Sequence, residues 1–249
     1  MPELGAGLAA LRERERRMHE EGDRQGAFAA AYVEVMAALQ RDLRAGVYED
    51  GPWVDRCAQR FLSLYFQALD DTARGWHWQV PQAWQQALAA RRRHSGSCLG
   101  SLVLGMNAHI NHDLPLAIAQ TLPAGDVSQQ ARDYHRILAT LRGCIAPIQA
   151  RIGHDYAEGL GRLDRVAVGL DDAVTYLVIR LSRRQSWAWA MTLRGASERA
   201  RLRSALDQHA ARTGRVLCAL ASPRLSRPWQ RLEAPLLLGT STDYTLHGA

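Results

Sequence analysis

The stretch LGMNAHINHDLP, residues 104–115, decides how this chain folds and where its chemistry lies. It sits in an apolar run that predicts a buried helix over about residues 97–121, called the polar helix from here on. The name reflects five polar or ionisable side chains within that run: Asn107, His109, Asn111, His112 and Asp113. Burying such groups is costly unless each is hydrogen-bonded. The stretch therefore forms either a polar network or a functional site.

The five side chains fall into two groups around the helix. At about 100° per residue, His109, His112 and Asp113 share one arc, and Asn107 and Asn111 lie on the opposite side. We expect other helices to enclose both sides.

Pro115 follows directly after these residues. A proline inside a helix has no N–H, so the carbonyl of Asn111 should lose its usual partner and the helix should bend. Such bends present side chains and unbonded carbonyls to a cavity.

Three interpretations of the polar helix remain open. In the first, the His and Asn side chains bond to neighbouring helices and Asp113 pairs with an arginine, so the role is structural. In the second, His109 or His112 is a general base oriented by Asp113, and the amides of Asn107 or Asn111 hold a substrate oxygen.

In the third interpretation, His109 and Asp113 coordinate a divalent metal from successive turns, with His112 as a third ligand or an outer partner. Imidazole and carboxylate ligands suit zinc, manganese or iron. One helix cannot supply a full coordination sphere, so Asp133 is our candidate for the next ligand. Further candidates are His77, His135, His154 and Asp155.

The composition excludes several classes of enzyme. The chain has 249 residues and no lysine, so all 31 of its basic residues are arginine. Pyridoxal phosphate enzymes need a Schiff-base lysine, and P-loop proteins and kinases need a phosphate-binding lysine. We therefore expect neither pyridoxal phosphate nor nucleotide triphosphate chemistry.

The net charge of +6 does not by itself indicate nucleic-acid binding. Arginines cluster at residues 12–17, 91–93 and 199–203, but acidic residues interleave in the first and last clusters, and no aromatic residues alternate with them. Solvated helix faces are the better interpretation, so a nucleic-acid partner is not expected.

The remaining composition is typical of a soluble globular protein. The four cysteines are far apart and form no C-x-x-C pair, which favours reduced thiols. No apolar run reaches the roughly 18 residues that span a bilayer, and residues 1–17 do not resemble a secretory signal. We expect a cytoplasmic protein without a membrane partner, and leave a homodimer open.

Helical periodicity extends along nearly the whole chain. We predict an all-α domain over residues 1–221, a bundle of helices around the long central polar helix. A proline-containing tail, residues 222–249, should be extended on the surface or partly disordered. Short strands are conceivable only near residues 166–170. The predicted helices span residues 5–20, 26–45, 52–70, 81–93, 97–121, 127–152, 169–182 and 185–220.

Two residues outside the polar helix are candidates for substrate binding. Trp187 belongs to a Trp-x-Trp pair that either packs in the core or lines an apolar ligand pocket. Arg183 could neutralise Asp113 or Asp133, or bind a substrate carboxylate.

The run GMNAHINHDLP, residues 105–115, resembles the signature G-M-N-A-H-I-N-x-D-L-P of a bacterial family of unknown function, DUF5995. The segments V-P-Q-A-W at 80–84 and R-R-Q-S-W-A-W at 183–189 are also similar, and the resemblance covers about residues 26–195. It implies that Asn107, His109, Asn111 and Asp113 matter more than His112. Such members occur in actinobacteria, sometimes within gene clusters for specialised metabolites, which implies a small-molecule enzyme.

A fainter resemblance links His109-x-x-x-Asp113 to the H-x-x-x-D helix of the all-α zinc-dependent phospholipase C and P1 nuclease superfamily. It implies a metal site, although the chain lacks that superfamily's H-Q-P-L-H continuation. Our leading hypothesis is an enzyme with hydrolytic or cyclisation and elimination chemistry on a small apolar metabolite. The alternative is a non-catalytic binding or scaffold protein whose polar helix is a hydrogen-bond network.

Overall fold

The polar helix runs through the middle of the molecule, and the other helices pack around it. The computed structural model describes residues 3–92, 98–156 and 172–220. Within those ranges the regular structure is helical, so the all-α prediction is confirmed. The helices are α1 (Glu3–Glu20), α2 (Gly26–Arg44), α3 (Gly51–Ala73), α4 (Gln82–Arg92), α5 (Cys98–Ala108), α6 (Leu114–Thr121), α7 (Ser128–Asp155), α8 (Asp172–Gly195) and α9 (Arg199–Leu220).

Local signals explain where the helices begin and end. At the start of α3, the Asp50 side chain accepts a hydrogen bond from the backbone N–H of Trp53, and Pro52 occupies the first turn. After α2 and α3, Gly46 and Gly75 adopt positive φ angles of 68° and 78°, which L-residues with a Cβ rarely adopt.

One predicted helix break was wrong. Sequence periodicity placed a break between residues 182 and 185, but α8 continues through this region to Gly195. The polar residues there include no glycine or proline, so nothing prevents the helix from continuing. The chain turns instead at residues 196–198, before α9.

The polar helix is enclosed on both sides, as expected. Its first part, α5, packs against α2, α4 and α9, and its last part, α6, packs against α3 and α8. The largest apolar core, which includes Trp53, Trp84, Tyr65 and Met36, lies between these helices. The described residues contain no helix that is both long and apolar enough to cross a membrane. The predicted tail at 222–249 and the predicted strands at 166–170 lie outside the described residues.

Pro115 has a different structural effect from the one predicted. The five residues before α6, His109–Asp113, form a π-helical turn, in which the N–H of Leu114 bonds to the carbonyl of His109. The carbonyl of Ile110, whose π-type partner would be the missing N–H of Pro115, lies 2.7 Å from the hydroxyl of Ser186 on α8. The proline is therefore accompanied by a π-turn that a side-chain hydrogen bond joins to α8. The carbonyl that accepts this bond is that of Ile110, whereas the sequence predicted a free carbonyl at Asn111.

Close packing of the polar helix on α2 predicts a specific sensitivity. A Cβ at Gly105 would lie 2.6 Å from the ring of the buried Phe28. We expect Gly105→Ala to lower the free energy of unfolding by about 1–3 kcal/mol, the usual cost of overpacking. Urea unfolding measures the change.

Gly143 in α7 is the matched control, because a Cβ there would meet no atom within 4 Å. Gly143→Ala should stabilise the protein by about 0.5–1 kcal/mol through helix propensity alone. Equal effects at the two positions would contradict the described packing.

Candidate acid–base site

The carboxylate of Asp113 is the centre of the site. Its Oδ2 accepts hydrogen bonds from the indole Nε1–H of Trp84 at 2.8 Å and from His109 Nδ1 at 3.0 Å. Its Oδ1 bonds to His112 Nδ1 at 2.8 Å. Asp113 is 1% exposed, and three N–H donors surround it. The predicted arc of His109, His112 and Asp113 is thus a bonded cluster.

His109 lies in an aromatic cage formed by five side chains. The ring of Phe61 stacks on the imidazole with 3.5 Å between centroids and 7° between planes. The ring of Tyr32 approaches by its edge at 4.5 Å. The remaining members are Phe28, Tyr65 and Trp84, at centroid distances of 5.6, 5.9 and 6.1 Å. The cage leaves the His109 side chain in an apolar environment, 3% exposed.

Nε2 of His109 and the hydroxyl oxygen of Tyr32 are fully buried and have no hydrogen-bond partner among the described residues. Because Nδ1 of His109 donates to the Asp113 carboxylate, Nε2 carries a lone pair. A buried lone pair facing an apolar cage is costly in a purely structural network.

Burial and hydrogen bonding shift the pKa values of three side chains in the site. Burial lowers the pKa of His109 below 6.5, although Asp113 partly opposes this. Burial acts to raise the pKa of Asp113, but the hydrogen bonds from His109 and His112 outweigh it and hold the pKa below 3.8. Burial raises the pKa of Tyr32 well above 10, and the Asp113 charge adds to the effect. At neutral pH the site therefore holds a neutral imidazole, a carboxylate and a phenol.

On the opposite side, Asn107 bonds to α9 and is supported by Asn111. Asn107 donates from Nδ2 to the carbonyl of Ala210 at 3.0 Å, and its Oδ1 accepts from Asn111 Nδ2 at 3.0 Å. Gly214 allows this approach, since a Cβ there would lie 3.1 Å from Asn107 Nδ2. The predicted substrate-binding role of Asn107 and Asn111 gains no support from these contacts, of which the first joins the polar helix to α9 and the second lies within the polar helix.

Arg183 and Trp187 form a separate cluster around Tyr134. The Arg183 guanidinium lies 4.0 Å above the Tyr134 ring and donates to the Tyr134 carbonyl at 3.0 Å. The Tyr134 hydroxyl donates to the Arg183 carbonyl at 2.7 Å, and the Trp187 ring lies 4.9 Å from that of Tyr134. Arg183 pairs with neither Asp113 nor Asp133.

In the described part of the chain, Asp133 bonds to other partners than the His109–Asp113 pair, so the predicted role of Asp133 as a metal ligand gains no support from its contacts. Its oxygens accept from the backbone N–H groups of Glu49 and Asp50 at 2.9 and 2.6 Å, and from Arg136 at 3.0 Å. Asp133 therefore holds the loop before α3. Across residues 3–92, 98–156 and 172–220, no three His, Cys, Asp or Glu side chains are grouped so that they could hold a metal ion.

The five members of the aromatic cage were missed in the sequence. Phe28 and Tyr32 lie on α2, Phe61 and Tyr65 on α3 and Trp84 on α4, so all five come from helices other than the polar helix. Trp84 alone left a usable signal, because a buried indole N–H needs an acceptor. The other four resembled ordinary core aromatics at helical spacing.

Comparison with known proteins identifies the family but no relative of known activity. The sequence model of a family of unknown function, DUF5995, matches residues 6–220. The chain belongs to this family. Neither curated proteins nor solved structures gave a match.

The match extends beyond the segment that resembled the family by sequence motif. It includes α1 from residue 6 onward and the full length of α2 to α9, together with every residue of the candidate site. The fainter resemblance to zinc-dependent phospholipases and P1 nucleases gains no support from the comparisons.

The lowered pKa of His109 predicts acid sensitivity. Below pH 6.5 the unfolded chain takes up a proton at His109 while the folded chain does not. The free energy of unfolding therefore decreases as the pH is lowered. We expect His109→Gln to flatten this slope between pH 6.5 and 5 by up to about 1.4 kcal/mol per pH unit. Urea unfolding at several pH values measures it.

The control is His154→Gln, since His154 pairs with Asp155 at 2.7 Å but is exposed. It should leave the slope unchanged. Identical slopes for His109→Gln and the unmodified protein would show that His109 is not held neutral.

Proposed function

We propose that the chain is an enzyme that moves a proton on a small, largely apolar molecule, with His109 as the general base. The observation that carries the proposal is the unpartnered, buried Nε2 of His109, opposite an Nδ1 that bonds to Asp113. A carboxylate on one ring nitrogen fixes the tautomer and leaves the other nitrogen as a base. Asp113 would also stabilise the imidazolium after proton transfer.

Tyr32 is suited to the complementary role of general acid. Its ring contacts that of His109 at 4.5 Å, and its buried hydroxyl has no partner among the described residues. Burial keeps the phenol protonated, because the pKa of Tyr32 is raised well above 10. A base and an acid facing the same apolar cage would remove one proton from a substrate and supply another to its leaving or developing oxygen.

The surroundings favour elimination or cyclisation over hydrolysis through a covalent intermediate. Within the described residues, no serine, threonine or cysteine side chain hydrogen-bonds to His109, so the His–Asp pair does not activate a protein nucleophile. The walls of the cage are aromatic and favour an apolar substrate. We place this activity in the cytoplasm and in bacterial specialised metabolism.

A structural role is the second candidate, and one observation favours it. The Phe61 ring stacks flat on His109 at 3.5 Å, so one face of the imidazole is already covered. In that case the cluster would act only by joining α3, α4 and the π-turn in a binding or scaffold protein. The two functions make different predictions for a variant without His109. Proton-transfer catalysis should be lost if His109 is the base, and a structural role predicts no such catalysis in any variant.

A base in an apolar cage can be tested with 5-nitrobenzisoxazole, a small flat aromatic molecule. Removal of its C3 proton forms the nitrile, breaks the N–O bond and releases a coloured phenolate. We expect the protein to accelerate this elimination, and His109→Gln to lower the rate by about 100-fold or more, the usual contribution of a general base. Absorbance of the phenolate measures the rate.

The assay needs three comparisons. His154→Gln should retain the full rate, because His154 has the same kind of Nδ1–carboxylate contact but is exposed. Phe61→Ala uncovers one face of the imidazole and should raise the elimination rate. Adding His109→Gln to Phe61→Ala should abolish that rate. A rate in the unmodified and Phe61→Ala proteins no higher than with His109→Gln would sink the proposal.

Tyr32→Phe separates catalysis from stability. Because the buried Tyr32 hydroxyl has no partner in the described part of the chain, its removal should leave the thermal midpoint unchanged or higher. In the same variant the elimination rate should fall at least about tenfold if the phenol donates a proton. A clear loss of stability with an unchanged rate would assign Tyr32 to the structural core.

A further inference from the structure

Arg183 is a buried cation whose charge has no counterion in the described part of the chain. It is 6% exposed, and among the described residues its guanidinium donates to the backbone carbonyl of Tyr134. Its Nε is buried and has no hydrogen-bond partner within residues 3–92, 98–156 and 172–220. No carboxylate among residues 3–92, 98–156 and 172–220 forms an ion pair with it. An unpaired buried charge is costly, so such an arrangement is unusual where it serves packing alone.

The guanidinium stacks on Tyr134, which belongs to the same apolar core as residues of the aromatic cage. Its charge acts to lower the pKa of Cys57 on α3, even though burial raises that pKa to about 11. Cys57 in turn is close enough to contribute to the raised pKa of Tyr32. Arg183 also lies one helical turn before Ser186, whose hydroxyl contacts the carbonyl of Ile110 next to His109.

We propose that Arg183 binds the carboxylate of an apolar ligand. The guanidinium presents hydrogens in a planar fork that matches a carboxylate, and Nε–H is the donor left free. The rings of Tyr134 and Trp187 lie beside it and suit an apolar or aromatic body. That this ligand is the substrate of the enzyme rests on the proposed function. The anion site at Arg183 is independent of the proposed function.

The probes for this site are formate, benzoate and inorganic phosphate, with benzamide as the neutral counterpart of benzoate. Calorimetric titration and the thermal midpoint, at constant ionic strength, report binding. Benzoate and formate should raise the midpoint of the unmodified protein, and benzamide should not. Arg183→Met, which replaces the guanidinium with an apolar chain, should lose the effect of both carboxylates.

Two control variants make the result specific. Arg180→Met removes an exposed arginine one turn earlier on α8 and should bind benzoate as the unmodified protein does. Arg183→Lys keeps the charge but loses Nε–H, and should raise the benzoate Kd at least tenfold. This variant keeps the test decisive if Arg183→Met folds poorly.

Several outcomes would overturn the inference. They are equal stabilisation by benzoate and benzamide, unchanged benzoate binding in Arg183→Lys or Arg183→Met, and stronger stabilisation by phosphate than by formate. Benzoate binding should persist in His109→Gln, because that variant removes the proposed base and leaves the guanidinium. Binding that depends on Arg183 without any elimination activity would thus uphold this inference and reject only the proposed function.

Discussion

The structure depends on one buried carboxylate. Asp113 is 1% exposed, and an ionised carboxyl group in that position is tolerable only with several hydrogen bonds. The three N–H donors come from Trp84 on α4 and from His109 and His112 on the π-turn. Meeting this requirement fixes the position of α4 against the polar helix and the orientation of the His109 ring. The aromatic cage can then form around an imidazole with a defined tautomer.

The π-turn supplies the local geometry for this arrangement. Because Pro115 has no N–H, regular α-helical bonding is interrupted before α6, and Ser186 of α8 contacts the exposed carbonyl of Ile110. Local departures of this kind are concentrated at functional sites, because they place side chains where a regular helix would not. The same contact brings α8 to the π-turn, and with it Arg183 at one turn's distance.

Local interactions could be predicted from the sequence, and distant ones could not. The pairing of His109 with Asp113 and the two-sided burial of the polar helix follow from spacing within one helix. The donor from Trp84 and the cage contact of Tyr32 join residues far apart in the chain, where helical periodicity carries no information. The partners of Asp133 are also distant in the chain, because they are backbone N–H groups of the loop before α3. Nothing in the sequence pointed to them, so Asp133 was considered as a metal ligand.

The central claim is that Asp113 holds His109 in the tautomer protonated at Nδ1, with a free lone pair on Nε2. Nitrogen-15 NMR of the His109 side chain at pH 7 tests this most directly, since protonated and unprotonated ring nitrogens have widely separated shifts. We predict a protonated Nδ1 and an unprotonated Nε2, with the assignment confirmed by loss of the signals in His109→Gln. A proton on Nε2, or on both nitrogens, would contradict the claim.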